Sequence, residues 1–220
     1  MFRELGSGRS VRRPAVERDE LRPRTADFAG DFDVEFALVE SADQTEVTGD
    51  GSVAHSVLRR VDFSGARLGP LRLIDSIFED VELSNASIQR ATVNRVELTR
   101  CRAIGLRLSV EQAGDLYVEE CRIDFATIRI VKIKKIAAFV GCSFREATIA
   151  GDLSNAVFLD CDFTDTEFAA GNANDCDLRA SQLTGARGLH TLRGALITPE
   201  QAISVADRLA TEIGLVVKEN

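Results

Sequence analysis

Residues 61–108 read VDFSG ARLGP LRLID SIFED VELSN ASIQR ATVNR VELTR CRAIG LRL when divided every five residues. The third letter of successive blocks runs Phe63, Leu68, Leu73, Phe78, Leu83, Ile88, Val93, Leu98, Ala103 and Leu108, and the first runs Val61, Ala66, Leu71, Ser76, Val81, Ala86, Ala91, Val96, Cys101 and Leu106. A helix would smear a five-residue apolar period around its circumference, and a strand alternates every two residues, so neither simple template fits. A chain that runs straight for a few residues and bends once per block can point the third residue, and the one two before it, inward at every step. Stacked bends make a coil, and a fixed internal period marks a solenoid.

The cysteines give the number of sides per coil. Cys101, Cys121, Cys142 and Cys161 each stand two residues before a block centre (Ala103, Ile123, Phe144, Phe163), separated by about twenty residues, so four blocks make one turn. The register predicts one extra residue near Phe139 to Gly141 and one lost near Ala150 to Gly151. The thiols read as small apolar packing units in a column with Val61, Val81 and Ser181, since free Cys behaves as a buried hydrophobe. The two histidines, His55 and His190, lie far from them, which argues against a metal site.

Five blocks carry a more specific pattern: Val61-Asp62-Phe63-Ser64-Gly65, Ala86-Ser87-Ile88-Gln89-Arg90, Cys142-Ser143-Phe144-Arg145-Glu146, Cys161-Asp162-Phe163-Thr164-Asp165 and Cys176-Asp177-Leu178-Arg179-Ala180. The chain from Val61 to Gly188 resembles the pentapeptide repeat family. The resemblance implies an all-β fold, a right-handed quadrilateral parallel β-helix. Glu111, Leu116 and Ile136 depart from the pattern and suggest distorted middle coils.

Outside the repeat, residues 1–27 are rich in Arg with almost no apolar periodicity and read as a flexible basic arm. Residues 28–60 read as an N-terminal capping segment: Phe32, Val34, Phe36 and Leu38 alternate as in a strand, and Thr48-Gly49-Asp50-Gly51 has turn composition. The repeat is assigned to residues 61–190, and residues 191–220 to a capping helix and tail. Thr198 is its N-cap, Pro199 the first helical residue and Gln201 completes a capping box, with Gly214 as the stop. Its apolar residues Ala202, Ile203, Ala206, Leu209, Ala210 and Ile213 are expected to close the end of the coil or, as the resemblance implies, to join two subunits into a homodimer.

The chain has 220 residues, 35 acidic and 27 basic, a net charge of -8, and 45% apolar residues. Such a balance is globular and disfavours a general nucleic-acid or anionic-membrane binder, so no direct nucleic-acid contact and no membrane association are expected. No apolar run long enough to span a bilayer and no signal-peptide core occur, and five cysteines without CxxC spacing fit reduced thiols, so a cytoplasmic protein is expected.

The register also sorts the charges. The side centred on Phe78, Leu98, Val118, Ala138, Phe158 and Leu178 displays Glu79, Asp80, Glu97, Glu119, Glu120, Asp160 and Asp177 against Arg100 and Arg179. This is the candidate partner-binding acidic face. The side centred on Leu68, Ile88, Leu108, Ile128 and Ile149 displays Arg67, Arg90, Arg107 and Arg129, with Arg187 beyond and Glu167 as its acid. Several bacterial members of the family imitate DNA, binding DNA gyrase or related type II topoisomerases and protecting them, so the resemblance implies a modulator of that enzyme conferring quinolone or toxin resistance.

A rod of somewhat over six coils is roughly 30 Å long, over which B-DNA carries about 18 charges. The acidic face offers far fewer, so a usable imitation would draw on the acidic C-terminal coils. The alternative is a rigid scaffold for an unknown protein partner, with Tyr117, Phe139 and Val140 directed outward as apolar anchors, unless the N-terminal segment covers them. The basic arm is read as solvated, with folding back on the acidic face as a second path. No Ser or Cys has a neighbouring His, no phosphate loop is present, and Asp160 to Asp165 lacks the glycine and glutamate of a calcium loop, so no enzyme activity, cofactor or metal is expected.

Overall fold

A computed structural model describes residues 1–6 and 8–218. The strand Arg67–Glu79 pairs in parallel with Ser87–Thr99, which pairs in parallel with Arg107–Glu119, each mainly at an offset of twenty residues. Beyond these, one side continues through Thr127–Ile130, Thr148–Asp152 and Glu167–Asn172, and another through Ala137–Val140, Ala156–Asp162 and Asp177–Gln182. The result is a four-sided parallel β-solenoid of about eight turns with one C-terminal helix. Sides one to four are taken in chain order through the block centres Phe63, Leu68, Leu73 and Phe78.

Each coil turns at residues in the left-handed region. Arg60, Asp80, Arg100, Glu120 and Asp160 lie at φ of 52 to 54°, with Gly141 filling the same corner between the last two. A left-handed L-residue costs roughly 1–2 kcal/mol. The ladder offsets this, because each corner N–H finds a carbonyl on the next coil, as Asp80 does on Thr99 O at 3.0 Å and Arg100 on Glu119 O at 2.9 Å.

Inside, the expected columns form. Cys101, Cys121, Cys142 and Cys161 are free and buried one above another. Their thiols donate to main-chain carbonyls, Cys121 to Glu119 O at 3.3 Å and Cys161 to Phe139 O at 3.4 Å, and Ser181 ends the column with a hydroxyl donating to Phe158 O at 3.1 Å. Burial pushes the Cys176 thiol, in the neighbouring column, up to about 12, with Asp177 acting in the same sense. In the C-terminal half Phe139 stacks on Phe158 at 4.9 Å and Phe144 on Phe163 at 5.2 Å.

Several expectations need correction. The extra residue enters between Ile133, still paired at twenty with Ala113, and Ala137, paired at twenty-one with Leu116. It therefore precedes Phe139, which takes the inward centre expected for Ala138 and is buried, while Ala138 faces outward on the rung of Tyr117. The lost residue falls at Gly151, as expected, where the register shifts before Asp152. The departure at Glu111 is a bulge, with register shifts on either side of Val110.

Residues 28–60 are coils of the solenoid, since Gly30–Glu35 pairs in parallel with Thr48–Ala54, and the latter with Arg67–Glu79. The glycines that suggested a turn lie within a strand. A Cβ on Gly49 or Gly51 would stand 2.1 Å from Phe28 O or 1.9 Å from Phe32 O, so close coil contact requires them.

Helix α1 (Pro199–Glu212) has the expected capping box, with Gln201 N donating to Thr198 Oγ1 and Thr198 N to Gln201 Oε1. Its docking face differs from the expected one. Gln201 donates to Leu178 O and Ser181 O, Val205 is buried, and Gly188 N donates to Glu212 Oε1 at 2.6 Å. The end of the coil offers unpaired carbonyls and amides, which polar side chains satisfy better than aliphatic ones. Ala202, Ile203, Ala206, Leu209 and Ile213 are consequently exposed and Ala210 half-buried, Ile203 at 79%.

The middle coils fill their interior with smaller side chains and enclose an apolar void of about 100 Å³, lined in part by Leu83, Val93, Ala103, Leu106 and Phe139. At ~24 cal/mol per Å³, such a void forfeits about 2 kcal/mol. Ala103 is the smallest block centre lining the void, so Ala103→Leu is expected to stabilise the protein by about 1–2 kcal/mol, seen as a Tm raised by ~2–8 °C in calorimetry.

Candidate partner-binding face

Side four carries an outward ladder formed by the residue preceding each centre: Ile77, Glu97, Tyr117, Ala138, Val157 and Asp177 are successive rungs. Its middle is apolar and its flanks acidic. The N-terminal residues expected to be a flexible arm lie on it instead. Strands β1 (Phe2–Leu5) and β2 (Arg9–Arg12) form an antiparallel hairpin, and Leu5 and Val11 pack against Tyr117, Ala138 and Val157. Two four-residue strands bury one apolar side chain each, too few to register as periodicity. Gly6 and Gly8, both at positive φ, between FREL and RSVR were the available hairpin signal.

The arm's cations then meet the acids. The Arg3 guanidinium lies 3.9 Å from the Tyr117 ring centre and pairs with Glu97 at 3.4 Å and Glu119 at 3.1 Å. Arg13 pairs with Glu97 at 2.9 Å, and Arg18 reaches Glu79 at 3.6 Å. Glu97 is only 4% exposed, so these guanidiniums are what allows its charge to sit there. Main-chain contacts fix the rest of the path: Arg12 N donates to Asp115, Ala15 N to Asp75 at 2.8 Å, and Arg9 to Asp175 O at 2.9 Å. Burial alone would raise the Asp75 carboxyl, but the Arg95 guanidinium and the Ala15 N–H outweigh it and hold the group below the usual carboxylate range. The stability that Asp75 contributes is therefore complete above about pH 4 and is lost only as pH falls through its lowered folded value.

Of the seven acids that the register places here, five hold internal cations. Glu79 pairs with Arg59 and Arg18, Asp80 with Arg100, Glu97 and Glu119 with the hairpin, and Asp177 with Arg179. Among the described residues, Glu120 and Asp160 have no ion-pair partner and are exposed. The coil-to-coil pairs have a sequence signal, opposite charges about twenty residues apart that the coil stacks: Arg59–Glu79 and Asp80–Arg100 on this face, with Asp75–Arg95, Glu82–Arg102 and Asp115–Lys135 beside it. Tyr117 does face outward, yet the hairpin buries it; Val140 is half-buried beside it. Among the described residues no group of three His, Cys, Asp or Glu converges to hold a metal ion, and no helix is long and apolar enough to cross a membrane.

The five-residue block, the four-cornered coil and the stacked small-residue columns together define a four-sided parallel β-solenoid built on a five-residue repeat. No family model and no curated protein matches the chain. Among solved structures it is similar to full-length QnrB1, described as a plasmid-mediated fluoroquinolone resistance protein, at 20% identity over 86% of this chain and 94% of that one, with a TM-score of 0.46. Two trypsin-treated variants of QnrB1 match at 18% identity, one over 91% of this chain and 100% of that one with a TM-score of 0.38, the other over 87% and 98% with 0.39.

Tyr117 is the single tyrosine and there is no tryptophan, so it reports on the hairpin directly. Burial raises its phenol, against the opposing effect of Arg3. Deleting residues 1–13 should lower its titration midpoint toward the free value of about 10, read as phenolate absorbance against pH; an unmoved midpoint would mean that the hairpin does not cover this ring.

Proposed function

We propose that the protein is a non-enzymatic, protein-binding solenoid that takes the place of duplex DNA on a type II topoisomerase, DNA gyrase being the named candidate, and so protects or modulates that enzyme. The observation that carries this reading is the charge of the C-terminal coils. Residues 141–180, two coils, hold eight carboxylates and two guanidiniums, a net of -6. Two coils rise about 9.6 Å, over which B-DNA carries about six charges. Arg145 and Arg179 pair with Asp162 and Asp177, leaving Glu146, Asp152, Asp160, Asp165, Glu167 and Asp175 without a cationic partner among the described residues. The binding charge thus comes from Glu120 and Asp160 of the expected face together with these coils, and not from Glu79, Glu97 and Glu119 beside the arm's cations.

A second reading, a rigid scaffold joining two copies of the chain, is favoured by the outward stripe of α1. Ile203 and Ile213 are exposed and continue into Leu215, Val216 and Val217, also exposed. Large apolar side chains left exposed together in one terminal segment favour an interaction there.

Both readings are open to direct measurement. Charge reversal at Glu146, Asp160 and Asp165 to Lys is expected to raise the concentration needed to affect gyrase supercoiling, with or without a quinolone, at least tenfold; undiminished activity removes these coils from the function. Ile203→Asp with Ile213→Asp should shift the solution mass by light scattering from twice 24.0 kDa to 24.0 kDa, and an unchanged mass in the two proteins would sink the pairing through α1.

A further inference from the structure

The cations of the rod fall into two groups according to side. Between residues 59 and 145 there are fifteen Lys and Arg residues. Eight of them, Arg59, Arg60, Arg95, Arg100, Arg102, Arg122, Lys135 and Arg145, pair with carboxylates, and all eight stand on sides four and one or at the corners where side four begins and ends. The other seven occupy sides two and three and the corner between them. Arg67, Arg72, Arg90 and Arg107 are exposed there, as are Arg129, Lys132 and Lys134, and among the described residues none has an ion-pair partner. The four coil segments that carry them, residues 66–74, 86–94, 106–114 and 126–134, include a single carboxylate, Glu111. The patch is bounded by Asp33 and Asp50 toward the N-terminus and by Asp152 and Glu167 toward the C-terminus.

What stands between the cations narrows the partner. Parallel register puts Ser87 between Arg67 and Arg107, and Thr92 and Gln112 on the rungs following Arg72, so neutral hydrogen-bonding side chains alternate with guanidiniums. These segments contain no aromatic residue, and Val131 is their one exposed large apolar side chain. A protein interface of standard affinity is anchored by buried aromatic or aliphatic groups at its centre, and a single-stranded nucleic acid is held by aromatic stacking. Neither is provided here. Arg and Lys together with Ser, Thr and Gln form the contact set of a duplex phosphate backbone, which is bound without reading sequence.

We infer that sides two and three form a second, independent surface that binds the phosphate backbone of double-stranded DNA. The overall charge of -8 argues against a general nucleic-acid binder, but charge acts locally. At physiological salt the Debye length is about 8 Å, roughly the width of one side of the coil, so carboxylates on the far sides are largely screened from a duplex seated here. The four coils span about 14 Å, a length holding ~8 phosphates of which roughly half face the rod, so about four contacts are available.

The test is fluorescence anisotropy of a labelled 30-base-pair duplex with the full-length protein between 50 and 200 mM NaCl. Binding is expected with a slope of log K against log salt near -4. The variant Arg67→Gln, Arg107→Gln, Arg129→Gln, Lys132→Gln should bind at least tenfold more weakly and with a shallower slope. The control Arg59→Gln, Arg100→Gln, Arg102→Gln, Arg122→Gln removes the same number of charges from paired positions and should stay within twofold of the parent. Circular dichroism melting establishes that each variant is folded. No binding at 50 mM NaCl, or an equal loss in the control, overturns the inference, and polyglutamate binding in place of duplex would assign the surface to an acidic protein. Because no topoisomerase is present, the result is independent of the gyrase reading.

Discussion

The structure depends on one constraint, that every coil must lie in hydrogen-bonding register on the coil before it. A parallel ladder tolerates no drift, because a one-residue slip would turn an entire column of inward side chains to solvent. The corners keep the count. Residues such as Asp80, Arg100 and Glu120 adopt an unfavourable left-handed backbone so that their N–H groups meet carbonyls on the next coil. Where the count changes, the chain compensates within one turn: the residue gained before Ala137 is given back at Gly151, whose lack of a Cβ lets Ile130 O approach.

That constraint also explains what could be read in the amino-acid order. The columns of Phe63, Leu83 and Cys101, Cys121 were legible because each obeys a local rule repeated many times. The coils before Val61 were not, since Gly49 and Gly51 occupy inward positions and their reason, the close backbone of Phe28 and Phe32, exists only in three dimensions. The outward face of α1 escaped a purely apolar reading because the open coil end is polar, and Gln201 and Glu212 answer it better than Ile203 does. On the candidate site, the sides bearing the charges followed from the register. Their neutralisation followed only in part: pairs one turn apart show as a twenty-residue spacing of opposite charges, but Glu97 and Glu119 are met by a hairpin that docks through just two apolar contacts, Leu5 and Val11.

Charge on this rod is therefore organised by pairing as well as by sign. Side four is an acidic surface whose carboxylates are largely satisfied from within, by neighbours one coil away and by the arm. The C-terminal coils keep carboxylates that are unmatched, and sides two and three keep unmatched cations. A rod of this kind presents partners of opposite charge with separate surfaces while its total stays modestly negative, and its stiff ladder holds those surfaces at fixed spacing.

The hairpin and the segment after it touch the coils from Asp75, through Ala15, to Asp175, through Arg9, with Asp115 and Glu97 between. A stack of repeats ordinarily feels only its nearest neighbours, so it frays from its ends and melts piecemeal. A strap fastened to coils a hundred residues apart in sequence links their fates. Terminal and central turns then open together, and the array gains the cooperativity of a single globule.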